Sequence, residues 1–327
     1  MVMAQALFIT LKQQYPDSEL DVIAPSWSVP LIERMPEVSR AIELSIGHKQ
    51  LKLTSRYRLG KQLQNRHYSL AIVTPRSFKS ALIPFFAKAK QRRGYRGEMR
   101  YGLLNDIRLL DKSVLIQTVQ RYVALGLEAS PSIPMTIPYP KLTTDIQNQQ
   151  RVLKKLELDI SQPVVGLMPG AEYGPAKQWP VKYYKELAEQ LAQQGKRVWV
   201  FGSEKENPAG EAIAGSNKNI VNLCGKTELV DVVDLIVLTS QVVTNDSGLM
   251  HVACATGKNV IAIYGSSDPV YTPPLSNTAT ILYKDLDCSP CFERSCPLEH
   301  LNCLNTISVS DVIASINNGH EDLIKRD

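Results

Sequence analysis

The chain has 327 residues, 44% hydrophobic and 21% charged, the makeup of an ordinary soluble protein and long enough for two compact domains, since single cores rarely grow beyond about 250–300 residues. No run of about 18 apolar residues occurs, which excludes a transmembrane helix, and Met1–Leu11 lacks the basic flank and small-residue cleavage site of a secretory signal, so a cytoplasmic protein is expected. The net charge of +5 conceals a basic half and an acidic half: residues 1–155 hold 24 Lys and Arg against 11 Asp and Glu (+13), and residues 156–327 hold 13 against 21 (−8). That asymmetry points the first half at an anionic partner, whether nucleic acid, phospholipid or a phosphorylated and carboxylated glycan, with plain solvated surface as the bland alternative.

In chain order, apolar residues recur at helical spacing from Val2 to Leu11, and Leu20–Ala24 reads as a short buried strand ended by Pro25. Leu70–Val73 reads as a strand, Ser77–Ala87 as a helix and Val114–Leu125 as another helix, an alternation that argues for a parallel α/β sheet. Between Ala129 and Leu142, Ser130-Pro131-Ser132-Ile133-Pro134 and Pro138-Tyr139-Pro140 break any regular element and mark a linker at the charge boundary. After a helix over about Thr144–Leu156 the alternation restarts. Strands are predicted at Val164–Met168, Arg197–Phe201, near Val221, at Val242–Thr244 and at Val260–Tyr264, with helices at Val181–Gln194, Leu229–Leu238 and Ser247–Ala255. The expected fold is therefore α/β, two Rossmann-like doubly wound domains of the GT-B architecture with an interdomain cleft. Their expected boundaries are 1–143, 144–310 and a C-terminal helix or tail at 311–327.

The strongest local signal is Val243-Thr244-Asn245-Asp246-Ser247-Gly248-Leu249-Met250-His251-Val252-Ala253, a strand running through a turn into a helix. Ligands of such sheets bind at the carboxyl ends of strands. Gly248 permits close backbone approach, Asp246 or Ser247 can cap the helix, and its free amides suit a pyrophosphate. His251, four residues after Ser247, lies on the same face; an ordinary capped helix with a satisfied polar histidine is the competing reading. A second signal is the stiff loop Met168–Pro180, in which Lys177 can set a cation against a phosphate leaving group while Glu172 and Tyr173 offer polar contacts. In Val200–Glu206, an acid follows a strand and a glycine, where carboxylates take ribose hydroxyls.

Taken together these segments resemble glycosyltransferase family 9, the ADP-heptose:lipopolysaccharide heptosyltransferases, and within it the heptosyltransferase II branch. The likeness covers nearly the whole chain, including Arg96-Gly97-Glu98-Met99-Arg100-Tyr101-Gly102-Leu103-Leu104-Asn105-Asp106. It implies catalytic roles for Lys177, Asp246 and His251, with Lys177 against the donor phosphates. Glu204 would contact the adenosine ribose, Lys226, Thr227 and Leu229 the adenine, and Ser247 and Gly248 the pyrophosphate and transferred sugar, with Glu172 and Tyr173 also in the donor site. The implied reaction is inverting, metal-independent and cofactor-free transfer of L-glycero-D-manno-heptose from ADP-heptose to the first heptose of the inner core, on heptosyl-Kdo2-lipid A. Alternatives are heptosyltransferase I or III chemistry, a sugar-nucleotide epimerase of the same architecture, or a donor-binding protein without catalysis.

The basic stretch Lys88–Arg96, with Arg92, Arg93 and Arg96 as acceptor-binding candidates, suits a phosphorylated and carboxylated acceptor, which would also bring the protein to the inner face of the inner membrane. Nucleic acid is not expected, because aromatic interleaving is sparse and no nucleic-acid module is recognisable. Cys288, Cys291, Cys296 and Cys303 cluster at a spacing compatible with a structural zinc or iron–sulfur site, but gaps of four and six residues after the Cys288–Cys291 pair fit no standard pattern well, and reduced packed thiols are the favoured expectation. The family begins with a strand and a glycine-rich turn bearing an Asp that serves as base, and nothing before Met1-Val2-Met3-Ala4 matches them. A shortened chain that binds ADP but transfers little heptose is the resulting expectation.

Overall fold

A computed structural model describes residues 1–47, 50–128 and 135–318. It divides into two compact units, one of residues 3–33 and 37–138 with Met1, the other starting at Tyr139 and including Val2 and Arg34–Pro36. The predicted linker residues Ser130–Pro134 and the tail beyond Asn318 lie outside the described residues.

Along the first unit run α1 (Gln5–Gln14), β1 (Asp21–Ala24), α2 (Val29–Ile32), β2 (Arg40–Glu43), α3 (Leu53–Leu63), β3 (Leu70–Val73), α4 (Leu82–Phe86), β4 (Gln91–Tyr95), β5 (Asp106–Arg108) and α5 (Thr118–Gly126). Along the second run α6 (Ile146–Lys155), β6 (Val164–Met168), α7 (Val181–Gln193), β7 (Arg197–Val200), α8 (Asn207–Ala214), β8 (Ile220–Asn222), α9 (Leu229–Ile236), β9 (Gln241–Asn245), α10 (Gly248–Ala255), β10 (Asn259–Tyr264), β11 (Ala279–Tyr283), α11 (Asn302–Asn305) and α12 (Val309–Asn318).

The second unit is a six-stranded sheet in the order β11-β10-β9-β6-β7-β8, and every ladder is parallel. Strands buried on both faces must be apolar at successive positions. Val164–Met168 and Arg197–Val200 have that form, and all but Arg197 are buried. Val165, Leu167, Val198, Val200, Val243, Ile261 and Ile263 pack against Tyr184, Leu187, Ala188 and Leu191 of α7 and Val312 and Ile316 of α12 in one core. The chain winds outward from β6 to β7 and β8, then returns to β9 on the other side of β6. The strand order therefore reverses between β6 and β9, the position where open α/β sheets bind ligands.

In the first unit the described strands fall into two parallel sheets rather than one, β1-β2 and β3-β4-β5. The hydroxyl of Tyr68, just ahead of β3, donates to the Asp21 carboxylate at the start of β1, tying the two sheets at their amino ends. Helix α5 starts four residues later than the periodicity of Val114–Leu125 predicts, because Gln117 and Gln120 form a reciprocal capping box at Thr118.

The basic stretch 88–96 is corrected more deeply, for most of it is strand β4. Arg93 is 4% exposed; its Nε donates to Asp106 Oδ2 on β5 at 2.6 Å and its Nη1 to the Leu125 and Leu127 carbonyls at 3.0 Å each. It thus joins two strands to the carboxyl end of α5, where a cation suits the helix dipole. Burial opposes the Asp106 carboxylate, but hydrogen bonds from Arg108 and Arg93 prevail and hold its pKa at about 2. Arg92 is engaged as well, donating to the Leu103 carbonyl at 2.6 Å and the Ala89 carbonyl at 2.7 Å. Of the three arginines expected to meet an acceptor, Arg96 alone is exposed. Arg93→Ala removes one of the cations that hold Asp106, which keeps Arg108, and strands the Leu125 and Leu127 carbonyls, so it should cost about 2–4 kcal/mol of unfolding free energy in urea titrations, whereas Arg96→Ala should cost less than about 0.5 kcal/mol.

Candidate active site

The loop after β6 and the turn after β9 meet at the point of strand reversal. Asn245, the last residue of β9, is fully buried. Its Oδ1 accepts from the Trp179 backbone N–H at 3.0 Å and the Tyr184 hydroxyl at 3.1 Å, and its Nδ2 donates to the Pro169 carbonyl at 2.7 Å. One side chain therefore grips both ends of the loop that carries Lys177. Trp179 anchors the same loop from below: it has no exposed surface, and its Nε1 donates to the Ile307 carbonyl at 2.9 Å.

Held in this way, Lys177 places Nζ 2.5 Å from Asp246 Oδ2, in a pair whose side chains are 17% and 6% exposed. The expected free cation is thus already matched by a carboxylate from the next strand. Lys177 Nζ also lies 5.1 Å from the centre of the Tyr173 ring, with the Arg294 guanidinium 5.4 Å from the same ring. The Tyr173 hydroxyl donates to the Phe292 carbonyl, and Arg294 Nε donates to the Tyr173 carbonyl at 2.8 Å. Gly174 makes this strapping possible, since a Cβ there would sit 2.4 Å from the Arg294 carbonyl oxygen.

Ser247 occupies the N-cap position of α10 in extended conformation, but neither it nor Asp246 makes the side-chain cap expected from the sequence. Asp246 is turned to Lys177 instead, which leaves the first amides of the helix uncapped by side chains. A Cβ on Gly248 would meet nothing within 4 Å, so open space borders this helix start. His251, one turn further, is 9% exposed, and its Nδ1 is buried without a hydrogen-bond partner. Burial, only partly offset by the Asp246 charge, lowers its pKa from 6.5 to about 4, so the imidazole is neutral at pH 7.

The remaining candidates occupy the carboxyl ends of β7 and β8 in the same sheet. Glu204 reaches over the turn at Gly225, where φ is 73° and a Cβ would stand 2.0 Å from Glu204 Oε2. Glycine is required there on both counts. Lys226 is exposed, Thr227 keeps a buried Oγ1 with no partner, and Leu229 opens α9 half-buried. Glu172 lies at the rim, paired with Lys205 at 3.1 Å with both side chains largely exposed, a contact of little energetic consequence. Asn245 and Arg294 were missed in the sequence. Asn245 stands inside the 243–253 motif, but its partners lie 61 to 76 residues away, and Arg294 carries no local signal at all. The six cysteines are free, and among the described residues no group of three or more His, Cys, Asp or Glu is placed to hold a metal. Burial first, and then Cys288, Cys291 and Cys296, raise the pKa of the Cys303 thiol.

Two outcomes follow from this geometry. Asn245→Ala strands a buried N–H and a buried carbonyl and should lower unfolding free energy by about 2–4 kcal/mol. The His251 linkage has a definite sign. Above pH 6.5 the imidazole is neutral in both the native and unfolded states; between 6.5 and about 4 only the unfolded state takes the proton, so stability falls with pH by about 3 kcal/mol in all and is flat below. Urea titrations across that range should show this component in the wild type and not in His251→Asn.

Comparison with known proteins agrees with the geometry. The model of glycosyltransferase family 9 (heptosyltransferase) matches residues 56–302. The chain is 49% identical over 296 residues to lipooligosaccharide heptosyltransferase 2 of Haemophilus influenzae and 44% identical over 292 residues to lipopolysaccharide heptosyltransferase 2 of Escherichia coli, in each case across 86% of this chain and 84% of the relative. The solved structure of E. coli ADP-heptose lipopolysaccharide heptosyltransferase II superposes with a TM-score of 0.79 at 40% identity, covering 95% of this chain and 96% of that one, and brings with it the GT-B fold. The chain belongs to glycosyltransferase family 9, the heptosyltransferases, and is a glycosyltransferase.

Proposed function

We propose that the chain transfers L-glycero-D-manno-heptose from ADP-heptose to the first heptose of heptosyl-Kdo2-lipid A, with inversion at the transferred carbon. The observation that carries this reading is the convergence of Lys177, Asp246, His251 and the uncapped start of α10 where the strand order reverses. The names of the relatives support a heptose donor, ADP-heptose in one of them, and a lipopolysaccharide acceptor.

In this reading the donor pyrophosphate lies against the α10 amides, with Gly248 leaving room for it and the Ser247 hydroxyl beside it. Glu204 takes the adenosine ribose, and Lys226, Thr227 and Leu229 flank the adenine. Glu172 and Tyr173 stand at the mouth of the donor site. As the bond from the heptose carbon to the phosphate oxygen breaks, negative charge grows on the departing ADP and positive charge on the sugar ring. Lys177 and the helix start meet the first of these charges, held in place beforehand by Asn245 and Asp246. Neutral His251 offers one N–H and one lone pair to the same groups without adding a second cation. The acceptor hydroxyl gives up its proton to a general base as its oxygen bonds to the heptose carbon. The protein works next to the inner face of the inner membrane, where such an acceptor resides; among the described residues no helix is long and apolar enough to cross a membrane.

The test is product analysis with ADP-heptose, and with UDP- and GDP-sugars in its place, offered with inner-core acceptors that carry no heptose, one or two. Heptose transfer from the ADP donor to the one-heptose acceptor is the expected result; epimerised sugar nucleotide without transfer would refute the assignment. Lys177→Ala should lower kcat/KM by about 100-fold, the usual worth of one preorganised charge on a leaving group.

A further inference from the structure

Between Thr74 and Gly102 the sequence holds eight Lys and Arg residues and one acid, Glu98. Two loops bring the ends of this segment together, one after β3 (residues 74–79) and one after β4 (residues 96–102). They touch closely: a Cβ on Gly97 would stand 2.3 Å from the Arg76 carbonyl oxygen. Glu98 accepts the Phe78 N–H at 2.6 Å and donates its own N–H to the Arg76 carbonyl at 3.1 Å. Arg100 is 2% exposed beneath them, with Nη1 donating to the Pro75 carbonyl at 2.6 Å and Nη2 to the Tyr95 carbonyl. A buried guanidinium carried by the second loop and bonded to a carbonyl of the first and to the end of β4 makes the pair a rigid platform.

The outer surface of that platform is unusual for a soluble protein. Met99 is 82% exposed, Tyr101 67% and Phe78 40%. Beside them Arg76 and Arg96 are exposed and Lys79 partly so, and none of the three forms an ion pair or side-chain hydrogen bond among the described residues. Apolar tips flanked by uncompensated cations are what a bilayer with anionic headgroups selects: the apolar groups enter the interface, and the cations pair with lipid phosphates.

We infer that the paired loops 74–79 and 96–102 dock directly on an anionic phospholipid surface, inserting Met99, Tyr101 and Phe78 and pairing Arg76, Lys79 and Arg96 with lipid phosphates. On this proposal the contact requires neither the glycan acceptor nor the donor, so it is tested without either.

The experiment is sedimentation of the full chain with vesicles of equal parts phosphatidylcholine and phosphatidylglycerol, free of lipopolysaccharide and sugar nucleotide, beside vesicles of phosphatidylcholine alone. The wild type should pellet with the anionic vesicles, and added salt should weaken but not abolish the binding. Arg76→Glu with Lys79→Glu should lower the partition coefficient at least tenfold, at about fivefold or more per cation. Met99→Ser with Tyr101→Ser, which leaves the net charge unchanged, should lower it by about tenfold at unchanged melting temperature, and this loss should persist at low salt, where charge alone would retain the protein. Absence of wild-type binding to anionic vesicles, equal binding to the zwitterionic ones, or variants that bind like the wild type would each overturn the proposal. So would binding that arises only when acceptor glycolipid is added to the vesicles, which would make the surface an acceptor site.

Discussion

The carboxamide of Asn245 sets the geometry on which the candidate site depends. A parallel sheet leaves the loops at its carboxyl edge without ladder partners, and such loops wander unless something fixes them. Here one fully buried amide joins the final residue of β9 to both ends of the loop after β6. The satisfied amide is worth only about a kilocalorie per hydrogen bond in net terms, but leaving its partners stranded is far more costly, so the arrangement has one low-energy solution. Lys177 inherits its position from that solution, and Asp246, the next residue after Asn245, inherits its direction.

The two units use buried polar groups differently. In the second, Asn245 and His251 serve the carboxyl edge of the sheet, where a ligand is expected. In the first, Arg93 and Arg100 serve the scaffold, each spreading one guanidinium over several carbonyls or a carboxylate to hold strand, loop and helix ends together. Guanidinium is suited to that task because it offers five donors in a rigid plane and never deprotonates. The positive charge of the first half is thus partly structural, and what remains for partners is concentrated on a few side chains such as Arg76 and Arg96.

Much of the second unit was legible in the sequence because fully buried parallel strands are continuous apolar runs, as in Val164–Met168 and Asn259–Tyr264. Strand β4 was not, since Gln91-Arg92-Arg93-Gly94-Tyr95 conceals a buried position under a charged residue whose partner, Asp106, lies thirteen residues on. Strand β2, Arg40–Glu43, was hidden similarly by charged ends and short length. For the site, the 243–253 motif and the Lys177 loop were readable because glycine, proline and polar residues interrupt apolar runs there. That Asp246 faces Lys177 and leaves α10 uncapped was not readable. Capping is a local preference, and here a partner 69 residues away in sequence overrides it.

The Lys177–Asp246 pair gives the site a resident counter-ion. With cation and anion in contact, their fields largely cancel a few ångströms away, so the pair exerts little pull on anions in the surrounding solution. A small anion arriving alone must compete with a carboxylate already seated at 2.5 Å, and it brings nothing to offset the exchange. A ligand that also meets the helix amides left uncapped by side chains offsets that competition better than phosphate alone. On the reading proposed above, the pair favours an anion that brings further contacts over one that brings charge alone.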